Sequence, residues 1–328
     1  MKEPIDFIIP WVDGNDPVWR AEKNKWDPNY SPESVVRFRD WENLQYWFRA
    51  VEKFTPWVNR IHFVTYGHLP HFLNINHPKL HIVNHSDFLP SKALPVFSCN
   101  PLEINLHRIP GLAEHFVYFN DDVFVLKNLS PDFFFQRGLP CDRAIFNALI
   151  PNGETLFNLR ANNIAIVNRN FSKKDCLKRN FNKYLSVRYG ADIYRTLALI
   201  PWGQFTGFYD DHLASAHTKS LMEEVWNKEQ EVLEKTTTHK FRQNDDVTNW
   251  LFRYWRFAEG SFVPCKHRGR FLEISESAMP EIEKIILNQK EPMVCLNDSD
   301  PNMDFEKLKN ELIKIFDKLL PNKSTFEI

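Results

Sequence analysis

Residues 117–125 read VYFNDDVFV, an apolar run interrupted by Asn120, Asp121 and Asp122. Burying unpaired carboxylates is costly, so this triplet must be exposed, neutralised or bound to a cation. Adjacent residues of a strand point to opposite faces, so Asp121 and Asp122 act as a unit only where the strand ends and the backbone turns. As hard oxygen donors with no nearby Cys or clustered His, they favour Mg²⁺ or Mn²⁺ over zinc. Two other readings stay open: one of them is a catalytic base, or the triplet is a turn that caps the next segment.

The same residue types recur along the chain. Asp13 and Asp16 in WVDGNDP are turn residues by type. His212, in FYDDHLASAHTKS, can work as a general acid or base, and Lys219, seven residues on, can contact phosphate. Arg242, in THKFRQNDDV, can clamp phosphate through its planar fork or pair with Asp245 or Asp246. Arg37 and Arg39, in RFRDWENL, offer the same choice. Asn297 and Asp298, in VCLNDSD, repeat the pattern of an apolar strand ending in Asn-Asp, or else cap the helix that follows.

These residues need elements to position them. Residues 5–12 predict a strand leading into the turn at 13–17. Residues 40–54 predict a helix with Asp40 as N-cap and Leu44, Trp47, Phe48 and Val51 on one face. Strands follow at 61–66 and 80–85, a helix-like stretch at 101–115, and then VYFNDDVFV as a further strand. That order suggests parallel βαβ units, in which ligands gather beyond the carboxyl ends of the strands. The 13–17 turn and the NDD triplet would both lie there. Beyond them, 143–150 and 162–167 read as strands, and 172–187, 218–235, 245–258 and 304–319 as helices. The expectation is an α/β fold, a single catalytic domain over 1–328, sheet-rich to about 170 and helix-rich from about 171.

Composition sets the limits. The net charge is −1, so the chain as a whole is not built to bind nucleic acid. Five scattered cysteines without a CxxC pair fit a reducing compartment, and argue against a disulfide framework or a cysteine zinc site. Glycine is scarce, 10 in 328, and neither GxGxxG nor GxxxxGK[ST] occurs, so a phosphate must be held by side chains, helix ends or a metal. With no secretory signal pattern and no long apolar run, the expectation is a soluble cytoplasmic protein, with membrane contact at most peripheral.

In their order, four blocks resemble the Stealth family of sugar-phosphate transferases. They are IDFIIPWVDGNDPVW, the long block from RFRDWENL to SCNPLEINLHRIPGLAEHFVYFNDDVF, the stretch from HLASAHTKSLMEEVW through HKFRQNDDV to YWRFAEG, and VCLNDSD. In the third block, Ala214 and Ala216 stand where that pattern leads us to expect prolines. The resemblance implies a Rossmann-like, glycosyltransferase-A-like sheet with a helical C-terminal portion. It implies transfer of a hexose or N-acetylhexosamine 1-phosphate from a nucleotide diphosphate sugar, taken as UDP-linked, to a hydroxyl of a glycan acceptor in capsule or surface polysaccharide synthesis. Catalytic weight falls on Asp122, His212, Arg242 and Asp298; the metal, Mg²⁺ or Mn²⁺, on Asp121, Asp122 and Asp298. Substrate contacts fall on Asp13, Asn120, Arg39, Lys219 and Asn100. Either Asp122 or His212 is the base. The competing expectations are a metal-dependent glycosyltransferase attacking sugar C1 and a non-catalytic glycan-binding protein. If the acceptor is lipid-linked, the 304–319 helix is a surface that could meet a membrane, although docking on its own domain is the simpler role.

Overall fold

The computed structural model describes residues 3–26, 36, 38–152 and 155–328; Arg37 lies outside them. Strand β1 (Ile5–Trp11) is buried from Ile5 to Ile9 because it lies inside a sheet covered on both faces. It pairs in parallel with β2 (Ile61–Thr65) on one side and β4 (His115–Tyr118) on the other. Strand β3 (Leu80–Asn84) extends the parallel set beyond β2, and β8 (Ser215–Thr218) closes the far edge antiparallel to β4. The order is β3-β2-β1-β4-β8, an α/β arrangement with a mainly parallel sheet.

Asp6 is the one charged residue in that buried stretch, and it is fully paired. It accepts hydrogen bonds from Asn59 Nδ2 at 2.7 Å and Ala113 N at 2.8 Å, and meets His62 Nε2 at 3.0 Å. Burial alone would raise its carboxyl, but these partners overcome burial and hold it below the usual range.

Helices α1 (Pro17–Trp26) and α2 (Leu44–Phe54) lie between β1 and β2. The apolar face of α2 buries Leu44, Trp47, Phe48, Val51 and Phe54, as its periodicity predicts. Its N-cap position is Asn43, not Asp40: the Asp40 carboxylate instead accepts the Glu42 N–H at 2.8 Å, and Glu42 turns left-handed at φ +50°. Two further short helices, α3 (His85–Phe88) and α4 (Cys99–Glu103), precede β4. The expected helix over 101–115 stops early, giving way to a 3-10 turn at Leu106–Arg108 and a left-handed Gly111 after Pro110, which has no N–H to donate.

VYFNDDVFV is not one strand. Strand β4 ends at Tyr118, and β5 (Val123–Val125) pairs antiparallel with β11 (Met293–Asn297), which runs parallel to β10 (Arg270–Glu273). Residues 119–122 are the crossing between two sheets. Strands β6 (Phe135–Gln136), β7 (Leu139–Asp142) and β9 (Val263–Pro264) form a third, small sheet.

The later helices are α5 (Thr155–Asn170), α6 (Lys173–Tyr184), α7 (Ile193–Leu199), α8 (Lys219–Lys228), α9 (Gln230–Thr238), α10 (Trp250–Glu259), α11 (Met279–Leu287) and α12 (Phe305–Leu319). The run expected as a strand at 162–167 belongs to α5, where Leu159, Asn163, Ile164, Ile166 and Val167 are the buried residues. The run expected as one helix over 218–235 divides at Glu229 into α8 and α9. Helix α12 buries Leu308, Leu312, Ile315 and Phe316 in the core, so its apolar face is spent on this chain. Two cores flank the main sheet, one around Phe7, Trp47, Phe119 and Phe316, the other around Ile8, Phe116, Val225 and Trp255. Each draws on residues before and after 170, and β8 joins the sheet from the later half.

Candidate active site

Strands β2 and β3 lie on one side of β1 and β4 on the other, so the switch point of the sheet, the usual place for a ligand crevice in such folds, falls between the carboxyl ends of β1 and β4. Beyond β1 the chain turns at Asp13, whose N–H donates to His68 Nε2 at 2.8 Å and whose Oδ1 accepts the Asn15 N–H at 2.8 Å. A Cβ on Gly14 would lie 2.0 Å from the Phe38 carbonyl oxygen, so only glycine lets the 38–41 segment sit against this turn. That contact brings Asp40 close to Asp13. Burial and then the Asp13 charge push the Asp40 carboxyl up.

Beyond β4 come Asn120, Asp121 and Asp122. Asn120 is half-buried, and its carbonyl accepts the Val123 N–H at 3.2 Å, closing the turn into β5. Asp121 is open to water, yet the protein packed around it, with the Asp40 charge behind, pushes its carboxyl up to about 6. Asp122 is pushed up to about 7, first by burial and then by Asp121. Strand β11 lies alongside: Leu296 N donates to the Asp122 carbonyl at 2.9 Å and Cys295 Sγ to Asp122 Oδ2 at 3.2 Å. Oδ1 of Asp122 is buried with no hydrogen-bond partner among the described residues.

The contrast with Asp6 is informative. A structural buried carboxylate is surrounded by donors and stays ionised; Asp122 has one weak thiol donor, a repelling neighbour and an unsatisfied oxygen. That is the pattern of a group kept for a ligand.

His212 completes the cluster. Ligand atoms of Asp122, His212 and Cys295 all lie within 4.8 Å of one another. His212 holds a left-handed conformation, φ +52°, unusual for a side chain of its size. Its loop is anchored by Asp210, which pairs with Arg253 Nη1 at 2.9 Å and Arg160 Nε at 3.5 Å, and by Asp211, 3.7 Å from Arg253 Nη2. The ring meets Phe271 and Trp250 edge-on, with centroids 5.6 and 6.1 Å away. Burial, then the Arg160 charge, lower its pKa, so the imidazole is neutral at pH 7 and able to accept a proton.

Other expected residues fall in different places. Asp298, just past β11, meets Arg39 Nη1 at 3.5 Å and accepts from Trp41 Nε1 at 3.2 Å, tying it to the segment seated on Gly14. Arg242 stands near enough to His212 to lower its pKa further, with Nη2 3.5 Å from Cys99 Sγ. Asn100 is buried and donates to Asp246 Oδ2 at 2.8 Å, so its amide holds the loop that carries Arg242. Lys219 is not brought to the crevice. Since β8 runs antiparallel to β4, with Thr218 opposite His115, Lys219 lies beside Glu114 at the other end of the sheet, about 13 Å of strand away.

Several residues of the site escaped the sequence reading. Cys295 lies next to Asp122, which overturns the premise that no cysteine is near the carboxylates. Burial and the Asp122 charge push its thiol far above the usual range, so without a metal it is a protonated donor to Asp122. Arg160, with its guanidinium 4.7 Å over the Trp250 ring and its charge felt by His212, is a cation beside His212, where Lys219 is not. Nothing in the run FNLRANN marks it. Asp40 carried a visible signal, a carboxylate before a helix, but that signal reads as a cap.

The donor set fits a divalent cation. Asp122 Oδ1 lacks a partner and Asp121 repels its charge, and a cation at Asp122 would relieve both conditions; the donor atoms that converge there are those of Asp122, His212 and Cys295, and the expected ligands Asp121 and Asp298 are not among them.

Two stretches match the conserved regions of Stealth proteins, CR1 over residues 3–31 and CR2 over residues 37–141. The chain is 43% identical to a capsular polysaccharide phosphotransferase, WcwK, of Streptococcus pneumoniae, over 100% of both chains. It is 39% identical to the receptor polysaccharide phosphotransferase WefC of Streptococcus oralis, over 99% of each. It is 38% identical to the exopolysaccharide phosphotransferase cps2G of Lactiplantibacillus plantarum, over 98% of this chain and 96% of that one. A galactosyltransferase solved with donor and acceptor sugar analogues superposes on 94% of this chain at 10% identity and a TM-score of 0.36, a likeness too slight to carry an argument. With its crevice at the sheet's switch point and relatives that match from end to end, the chain belongs to the Stealth family.

Proposed function

We propose that this protein transfers a hexose or N-acetylhexosamine 1-phosphate from a nucleotide diphosphate sugar, UDP-linked in the simplest case, to a hydroxyl of a glycan acceptor in polysaccharide synthesis. The names of its relatives point to phosphotransfer, and the observation that carries the reading is the meeting of Asp122, with its unsatisfied Oδ1, and a neutral His212 at the mouth of the crevice. The acceptor oxygen attacks the β-phosphorus of the donor, the bond from that phosphorus to the nucleoside monophosphate breaks, and a phosphodiester remains.

Such a transfer asks for positioning and charge neutralisation more than covalent help. His212 takes the acceptor proton on its free ring nitrogen, while its left-handed backbone, held through Asp210 and Asp211, fixes the ring. Asp121 and Asp122 would hold Mg²⁺ or Mn²⁺, which, when bound, would offset the charge of the diphosphate. Carboxylate oxygens favour those ions. Arg160 and Arg242 face the same crevice and stabilise the phosphoryl oxygens. Asp13, Asn120, Arg39 and Asp298 line its rim. We place the reaction at the cytoplasmic face of a bacterial membrane, with an oligosaccharide or lipid-linked glycan as acceptor.

The test is incubation with a panel of nucleotide sugars and acceptor glycans, with and without EDTA. Acceptor-dependent release of a nucleoside monophosphate, abolished by EDTA and restored by Mg²⁺ or Mn²⁺, is the expected result. Release of a nucleoside diphosphate would instead mean attack at sugar C1.

A further inference from the structure

Helices α6 and α7 form a hairpin with an outer surface unlike the rest of the molecule. The hairpin is closed at one end by Lys173, whose Nζ donates to the carbonyls of Leu199 at 2.6 Å and Trp202 at 2.8 Å. Its inner side buries Cys176, Tyr184, Tyr189 and Thr196. Leu177, Leu199 and Ile200 pack partly against the core, but five large apolar residues face water: Phe181 is 56% exposed, Val187 88%, Tyr194 74%, Leu197 43% and Trp202 56%. Tyr194 and Leu197 share one helical face, three residues apart. Exposed apolar residues scattered singly need no explanation, but several aromatics concentrated on one hairpin do.

Their surroundings are basic. Residues 173–202 hold seven Lys and Arg against two Asp, a net +5 that leaves −6 for the rest of a chain whose total is −1. Lys174, Lys178, Arg179, Arg188 and Arg195 are exposed, whereas Asp192 is engaged by Arg143. Lys, unlike Arg, is depleted from protein–protein interfaces, and charge in general is depleted from their centres. Trp, Tyr and aliphatic residues set among Lys and Arg are instead what a bilayer surface takes up: rings at the headgroup level and cations on anionic lipid. Among the described residues no helix is long and apolar enough to cross a membrane. Because α12 buries its apolar face in the core, the 304–319 helix does not offer such a surface.

We infer that the α6–α7 hairpin docks the protein on the surface of an anionic lipid bilayer. The placement is suited to a lipid-borne acceptor: Arg195 donates to Asn147 Oδ1 at 2.9 Å and stacks on Tyr209, three residues before His212. The docking goes beyond the proposed reaction and is read without any substrate.

The experiment is flotation of the full chain with vesicles of phosphatidylcholine, with and without phosphatidylglycerol. The wild type floats only with the anionic vesicles, and added salt releases it. Two variants, Tyr194→Ser/Leu197→Ser/Trp202→Ser and Lys174→Gln/Lys178→Gln/Arg188→Gln, touch exposed positions, and their fold is verified by unchanged circular dichroism. Each stays in the soluble fraction, the charge variant with a partition coefficient lower on the order of 100-fold. Failure of the wild type to float, or equal flotation of both variants, overturns the inference. So does a wild-type dimer in light scattering that the apolar variant abolishes, since a second copy would then cover the patch.

Discussion

Asp122→Asn separates the cost of the site from its use. The carboxyl of Asp122 is pushed up to about 7 in the folded chain, against 3.8 for an ordinary aspartate. The native state therefore holds this proton more tightly than the unfolded chain does, and stability falls as pH rises from about 4 to about 7. A shift of about three units at ~1.4 kcal/mol each gives about 4 kcal/mol of native-state cost at pH 8, reduced toward about 2 where water screens the half-buried group. At pH 5 the same linkage leaves only about 1.5 kcal/mol, because the folded carboxyl is still protonated. Asparagine keeps an acceptor for the Cys295 thiol and carries no charge, so it escapes the cost. Urea unfolding in EDTA at pH 5 and pH 8 should show the variant more stable, with an advantage roughly twice as large at the higher pH, while transfer is abolished. A variant less stable than wild type at pH 8, or an advantage that does not change with pH, refutes the claim that Asp122 is an under-paired carboxylate.

His212→Ala should lower kcat on the order of 10²–10⁴-fold while leaving Mn²⁺ affinity, measured by titration calorimetry, unchanged. Because burial and Arg160 lower the His212 pKa in the free protein, the acid limb of wild-type kcat/KM should lie below pH 6.5, with activity lost as pH falls through it; a limb at or above that value removes His212 as base. Arg160→Ala should reduce kcat on the order of 10²-fold, whereas Lys219→Ala, at the far end of the sheet, should leave kcat unchanged; the opposite ranking would contradict the geometry. Asp142 pairs with Arg253 Nη2 at 2.8 Å and also with Arg256, so Asp142→Asn leaves buried guanidinium charge uncompensated and should cost about 3–5 kcal/mol in chemical denaturation.

Local patterns carried much of the fold. The buried β1 run, the periodicity of α2 and α12, and the turn residues after β1 all read correctly, because each depends on neighbours a few residues away. The NDD triplet was legible as a place where a strand must end, but the two halves of VYFNDDVFV joining different sheets was not: β5 takes its partner from β11, some 170 residues later. The same distance hid Cys295, which reads as an ordinary buried thiol until β11 lies beside Asp122. Lys219 failed for a related reason. Its nearness to His212 in sequence suggested a shared site, yet the intervening strand β8 carries it the length of the sheet in the wrong direction. Arg160 could not be read at all, since a single Arg within a helix has many uses and only Trp250 and His212 define this one.

The central claim is that the phosphoryl group, and not the sugar carbon, is the centre of attack. Phosphorus NMR of the purified product decides it most directly. The account predicts one new phosphodiester resonance that appears with the acceptor and matches the nucleoside monophosphate released. A phosphorus-free glycan product, formed with a nucleoside diphosphate, would contradict it.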